Sequence, residues 1–189
     1  MLGSLTRRTA SGLLGAALCC GGPGPTHAGA QQLHPAACVT SAQPGDHWTS
    51  FAFAALRLQL ALPAGLLRTA EPKLRKTAER AAERNIPSSE GSEELVAAWE
   101  APGKAPGAVR QVLLFTVLGE PIHTGRPCAL LIAQQPGFVF KLVLSGQGGA
   151  ASEYWTVARW PGFVLALGGR SLDSYEEGFA ILRSVAPSP

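Results

Sequence analysis

The sequence predicts an α+β domain in which an antiparallel β-sheet of about six to seven strands is covered by helices. Three features predict this fold class: short stretches in which apolar residues alternate with other residues, Pro-Gly turns between those stretches, and an amphipathic segment near the C-terminus. A period of two is typical of strands, because successive side chains point to opposite faces. Short strands joined by turns and closed by a helix favour an antiparallel sheet with a helical cover.

The first 30 residues are predicted to be a cleaved signal peptide that takes no part in the fold. Arg7 and Arg8 precede an uncharged run of ten residues, which as a helix would be roughly 15 Å long, about half of a bilayer core. The small residues Ala28 and Ala30 follow. A basic start, a short apolar run and a small-residue cleavage site are typical of secretory signals. We favour cleavage after Ala30, with Ala28 second; the alternative, an N-terminal core helix, lacks polar residues for its outer face.

The export route has two candidates. The stretch "TRRTASGLL" resembles a bacterial twin-arginine signal, in which paired arginines precede a weakly hydrophobic segment. It departs from that pattern at Ala10, where a strongly apolar residue is usual. The general secretory route therefore stays open beside twin-arginine export, and both routes lead to a periplasmic or secreted protein.

Length, charge and apolar runs constrain the domain number and the binding partners of the mature chain. Removing 30 of the 189 residues leaves 159, which suits one domain over 48–186 behind an extended lead-in segment over 31–47. The whole chain has 16 basic and 13 acidic residues; without Arg7 and Arg8 the basic count is 14, close to neutrality. This balance gives no support for nucleic-acid or membrane binding. No later apolar run reaches about 18 residues, so we predict no transmembrane helix in the mature protein.

Cys38 and Cys128 are the two cysteines of the predicted mature chain. An even pair in an exported protein favours a disulfide, which would close a loop of about 90 residues and stabilise the fold by roughly 4–5 kcal/mol in the chain-entropy model. Two separately buried thiols are the alternative. Neither cysteine belongs to a CxxC motif or has a suitably spaced histidine, so no metal site is predicted.

The first predicted elements are a strand and a helix. Leucines alternate with other residues over 56–62, which predicts a strand with one buried face. Alanine, glutamate, lysine and arginine dominate 71–85, which predicts a helix. Its apolar face contains only Leu74, Ala78 and Ala81, so we expect a solvated surface helix; the alternative is a docking surface for an acidic partner.

Three pairs of strands and a closing helix follow. Two strands flank the turn-rich segment 101–107, two flank Pro136-Gly137, and two flank Pro161-Gly162. For the last helix, Ser171 or Asp173 is the predicted N-cap. Four large side chains recur at helical spacing and should face the sheet: Leu172, Tyr175, Phe179 and Leu182.

A resemblance follows from the order of these patterns. "LRLQLALPAG", the Trp and Pro-Gly turn of "WEAPGK", the "W-x-G-F-x-L-x-L-x-G" pattern from Trp160 and the closing "ILRSV" together resemble small exported bacterial proteins of the PsbP-like kind. The likeness covers most of 50–186 and includes no catalytic motif. It implies an antiparallel sheet flanked by helices and a non-enzymatic accessory or assembly role.

Catalytic candidates are confined to one segment. No HExxH, GxSxG or GxxxxGK[ST] motif occurs. Glu120, His123 and Arg126 lie close together on a predicted loop. A Glu/His pair suits acid–base work on a substrate that is held by Arg126. The alternative is an exposed loop that leads into the Cys128 strand.

Trp155 and Trp160 are the candidate binding residues. They have opposite parity in one predicted strand, so at most one of them points inward if the strand is regular. We expect the other to be exposed and to contact a partner, although tryptophans often anchor a core instead.

These observations favour an exported, non-enzymatic domain that binds a protein or a cell-envelope component, with no cofactor. Two other functions stay open. One is a small hydrolase-like enzyme that uses Glu120 and His123. The other is a periplasmic carrier of a small apolar ligand held between sheet and helix.

Overall fold

A computed structural model describes residues 31–32, 41–84, 86, 92–103, 107–118, 128–145 and 151–188. The predicted signal peptide lies outside these residues. Within them the elements follow in this order: β1 (Gln31–Gln32), β2 (Thr49–Phe53), β3 (Leu58–Leu62), β4 (Leu67–Arg68), α1 (Glu71–Glu83), β5 (Ser92–Glu100), β6 (Val109–Leu118), β7 (Cys128–Ile132), β8 (Gln135–Leu144), β9 (Glu153–Trp160), β10 (Phe163–Gly169), α2 (Asp173–Ser184) and β11 (Ala186–Pro187).

Two antiparallel sheets organise the described residues. The main sheet has eight strands in the order β1-β8-β9-β10-β6-β5-β4, and β7 pairs with β8. The second sheet has the order β11-β3-β2. The predicted α+β class, the antiparallel sheet and the C-terminal helix are confirmed, and the strand count of the main sheet is close to the prediction. The second sheet is an addition that the sequence patterns did not predict.

One face of the main sheet packs against α2 and the second sheet. Leu58, Leu60 and Leu62 point into this core with the predicted alternation. The predicted strand does not extend back to Leu56, because a 3-10 turn over Ala54–Leu56 reverses the chain between β2 and β3. On this face the main sheet contributes alternate residues of β6, β9 and β10. Side chains from these strands and from α2 therefore pack together in one core.

The opposite face of the main sheet packs against α1. Leu74 and Ala81 contact this second core, as predicted. Ala78 is only half-buried, and Thr77 is buried in its place, with its hydroxyl donating to the carbonyl of Lys73 at 3.2 Å. The exposed residues of α1 are mostly charged, which fits the prediction of a solvated helix. Both faces of the main sheet are therefore covered, and the fold has three layers.

Two turn predictions are confirmed and one is wrong. The hairpins around 101–107 and Pro161-Gly162 join β5 to β6 and β9 to β10. Between β7 and β8, however, the chain turns at Ala133 and Gln134, which both have positive φ. Gly137 lies inside β8 instead of in the turn. A side chain does not fit at this position, because a Cβ would lie 2.8 Å from the carbonyl oxygen of Arg159 on the neighbouring strand.

The start of α2 also differs from the prediction. Leu172 is the N-cap residue, and neither Ser171 nor Asp173 caps the helix with its side chain. Leu172 is exposed and does not belong to the buried face. Tyr175, Phe179 and Leu182 are buried as predicted. None of the helices in the described part of the chain is long and apolar enough to cross a membrane.

Tyr175 gives the fold a dependence on alkaline pH. Its hydroxyl donates to the Leu142 carbonyl at 2.9 Å. Burial, with a smaller effect from Tyr154, raises the pKa of Tyr175 from 10.0 to about 12. Because the folded state holds this proton more tightly than the unfolded state, the stabilisation is complete below pH 10 and is lost as the pH rises towards 12.

We expect an alkaline titration to show one phenol that ionises near pH 12, together with a loss of thermal stability over the same range. Ultraviolet phenolate absorbance and melting temperature measure the two effects. Tyr175→Phe should remove the late phenol step. A late step that persists in this variant would contradict the assignment.

Candidate functional site

The candidates predicted for chemistry are mostly outside the described residues. Glu120, His123 and Arg126 lie outside them, and so does Cys38. Cys128 begins β7, is half-buried and packs against the core shared with α2. The Cys38–Cys128 disulfide and the Glu/His pair stay predictions.

Trp155 and Trp160 point to opposite faces of β9, as their parity predicted. The expectation that one of them is exposed is wrong, because the indoles are only 2% and 4% exposed. Trp160 packs in the core shared with α2, where its ring lies 5.5 Å from that of Phe163. Trp155 packs in the core under α1. The error has one physical cause: helix or sheet covers both faces of this strand.

Trp155 also borders a cavity of about 420 Å³ at one end of the main sheet. The strands β9, β10, β6 and β5 are neighbours and antiparallel, so the start of β9, the end of β10, the start of β6 and the end of β5 meet at this end. The C-terminal end of α1 adds a wall. We call the cavity the arginine pocket, after four of its lining residues: Arg80, Arg84, Arg110 and Arg170.

A cross-strand row of four residues contributes to the pocket. Trp155 pairs with Gly168, Gly168 with Gln111, and Gln111 with Glu100. A Cβ at Gly168 would lie 2.6 Å from the ring atoms of Trp155. Only glycine therefore lets the indole lie across β10 at this position. The row places an aromatic ring and a bare stretch of backbone beside polar side chains.

Glu153 links Trp155 to the end of α1. One carboxylate oxygen accepts a hydrogen bond from the Trp155 indole Nε1 at 3.1 Å. The other oxygen pairs with Arg84 at 3.4 Å, and the two side chains are 42% (Arg84) and 30% (Glu153) exposed. The carboxylate thus holds Arg84 against the sheet and neutralises its charge.

Two further polar groups of the pocket are held by strand neighbours. Gln111 donates from Nε2 to a Glu100 oxygen at 3.2 Å. Arg110 donates to the carbonyls of Ala101 and Gly103, which fastens the turn after β5 to the start of β6. Glu100, the second carboxylate of the pocket, thus accepts a hydrogen bond from the Gln111 amide.

Arg80 and Arg170 differ from Arg84 in their ion pairing. Within the described part of the chain, neither one forms an ion pair, although both line the pocket. Arg80 lies in the last turn of α1, and Arg170 directly follows β10. Four arginines against two glutamates leave the pocket a formal charge of +2.

Positive charge, available guanidinium donors and a concave shape suit the binding of an anion. The described residues contain no group of three or more His, Cys, Asp or Glu side chains that could hold a metal ion.

Docking of an acidic partner was predicted only as the alternative for α1, and no sequence pattern predicted the pocket. Arg110, Glu153 and Arg170 are single charges at the ends of different strands. Only the sheet order brings them next to Arg80 and Arg84. No local motif marks them, and the strand order could not be derived from the sequence patterns. Comparison with known proteins gives no family assignment: no protein-family model matches the chain, and neither does any curated protein.

Proposed function

We propose that this protein is an exported, non-enzymatic binding domain and that the arginine pocket is its binding site. The observation that carries the proposal is the pair Arg80 and Arg170, two guanidinium groups without an ion pair in the described part of the chain that line one cavity. The bound component carries an anionic group. It is a small ligand or an exposed part of a cell-envelope component.

The proposed export rests on the sequence of the first 30 residues. The basic start, the short apolar run and the small residues before Gln31 support transport to the periplasm or beyond. The resemblance to PsbP-like proteins supports an accessory role without catalysis. Binding at strand ends also agrees with a general pattern, in which a rigid sheet positions variable side chains at its rim.

The pocket modifies the carrier hypothesis. A carrier of an apolar ligand would need an apolar cavity between sheet and helix. The cavity found at the end of α1 is lined by Arg80, Arg84, Glu100 and Glu153 among others. An anionic ligand suits this lining better than an apolar one.

Native mass spectrometry of the protein recovered from the periplasm tests this proposal. We expect a chain that starts at Gln31, has thiols labelled only after reduction, and retains an anionic small molecule. Arg80→Gln with Arg170→Gln should abolish that retention, because it removes the two available guanidinium groups.

Arg75→Gln with Lys76→Gln is the matched control. It removes two exposed charges from the same helix at residues that do not line the pocket. Retention by this control supports the site. A chain that keeps residues 1–30 would contradict export, and ligand retention by the Arg80/Arg170 variant would contradict the pocket as the binding site.

A further inference from the structure

We infer that the arginine pocket binds a phosphate monoester, an inference that rests on the proposed binding function and names the class of its ligand. The first reason is charge. The pocket has a formal charge of +2, and a phosphate monoester carries about −1.5 to −2 at neutral pH. A monoanion such as a sulfate ester or a single carboxylate would leave part of this charge uncompensated.

The arrangement of the donors is the second reason. Arg80 belongs to a helix and Arg170 to the segment after a strand, while Arg84 reaches the same cavity from one turn further along the helix. Guanidinium groups on separate elements approach a ligand from different sides. A phosphate offers three terminal oxygens in a tetrahedral arrangement, whereas a carboxylate offers two oxygens in one plane. Donors from separate elements therefore suit phosphate better.

The ion pair between Arg84 and Glu153 does not use all of the positive charge of the pocket. Arg84 is already matched by Glu153, and Glu153 is also held by the indole of Trp155. Glu100 has the amide of Gln111 beside it. Because the Arg84–Glu153 pair cancels within the pocket, the net charge of +2 comes from Arg80, Arg110 and Arg170 against Glu100.

The size of the pocket indicates a ligand with an organic part. Its volume of about 420 Å³ is more than ten times the roughly 30 Å³ that one water occupies in the liquid. This volume lies within the range of about 300–1,000 Å³ that is typical of small-molecule pockets. Beside the charged groups lie the Trp155 ring and the backbone at Gly168. We place the phosphate group at Arg80 and Arg170, and the organic part towards Trp155.

Isothermal titration calorimetry with phenyl phosphate tests the inference, with phenyl sulfate and phthalate as comparison ligands. Phenyl sulfate has a similar shape and one charge less, and phthalate has two carboxylates. We expect phenyl phosphate to bind at least fivefold more tightly than either. Arg80→Gln and Arg170→Gln should each weaken it about tenfold, whereas Arg75→Gln with Lys76→Gln should change its affinity less than twofold.

The outcomes separate the ligand class from the site. If phthalate or phenyl sulfate binds as well as phenyl phosphate and the arginine variants weaken it, the phosphate inference is wrong but the pocket remains the binding site. If neither these three ligands nor the glycerol 3-phosphate and phosphatidic acid of the second arm bind, or if the arginine variants change nothing, both proposals are overturned. Circular dichroism spectra of the variants check that they are folded, which is expected because Arg80 and Arg170 are exposed.

A second arm of the same experiment distinguishes two sources of the phosphate monoester, a soluble ester and a lipid headgroup. Glycerol 3-phosphate represents a soluble ester, and vesicles of phosphatidylcholine with phosphatidic acid represent a lipid headgroup. Binding that depends on Arg80 and Arg170 in either arm supports the inference and identifies the source. The inference would be overturned by two results together: the protein binds pure phosphatidylcholine vesicles as tightly as vesicles with phosphatidic acid, and it binds neither soluble ester.

Discussion

Replacing Glu93 by alanine is expected to destabilise the protein by about 3–5 kcal/mol, the range for a buried charge that loses its partner. Arg159 pairs with Glu93 at 2.9 Å, and the two side chains are only 4% and 13% exposed. The strands β10 and β6 lie between their own strands in the sheet, so this ion pair reaches across two neighbouring strands.

Arg159 is the reason for the large effect. Burial lowers the pKa of its guanidinium, and Glu93 counteracts part of this shift. Its Nε has no hydrogen-bond partner in the described part of the chain. Without Glu93 the positive charge would stay buried and lose an ion pair that compensates it, which is more costly than the loss of an exposed pair.

Urea unfolding of Glu93→Ala measures this effect, with Glu94→Ala as the control. Glu94 is the exposed neighbour on the same strand, and its replacement should change the unfolding free energy by less than about 0.5 kcal/mol. The double variant Glu93→Leu with Arg159→Met should recover much of the loss, because no charge stays buried. Equal losses in Glu93→Ala and Glu94→Ala would contradict this account.

Replacing Phe179 by alanine is expected to cost about 3–5 kcal/mol of unfolding free energy, as for other buried aromatic side chains. Phe179 is 2% exposed and lies in the core between α2, the main sheet and the second sheet. Its ring also lies 5.3 Å from the Lys141 ammonium, which adds a cation–π contact. The truncation would leave a cavity where α2, the main sheet and the second sheet meet.

Denaturant unfolding of Phe179→Ala and Phe179→Leu gives a graded test of this packing. The leucine variant should lose clearly less stability, because it fills part of the cavity. Leu172→Ala is the control from the start of the same helix, where the side chain is 61% exposed. If Phe179→Ala is no more destabilising than Leu172→Ala, α2 does not pack as described.

The class of the fold could be predicted because its evidence is local. Alternating leucines mark the inner face of β3, and helical spacing places Tyr175, Phe179 and Leu182 on one side of α2. The layers were harder to predict, because an alternating pattern shows which side chains share a face but does not show what covers it. The continuous apolar run at the start of β10, FVLAL, is the sequence signal for a strand that is covered on both faces.

The turns and the candidate site depended on information that is not local. The Pro136-Gly137 pair has the composition of a turn, yet Gly137 is needed for a close approach to β9 and the chain turns at Ala133 and Gln134 instead. The arginine pocket depends on the order of four strands and on the position of α1. Single charges at strand ends carry no periodic pattern that would have indicated this.

The position of the arginine pocket has a consequence for how this protein changes in evolution. Its guanidinium groups project from strand ends and a helix end, whereas stability depends on the strand centres that the three layers bury. Under the proposed function, substitutions at Arg80 or Arg170 are therefore expected to alter recognition with little effect on folding. If the pocket binds its ligand as proposed, a few substitutions at the rim would be enough to change the ligand, whereas Gly168 and Trp155 are constrained by their contact with each other.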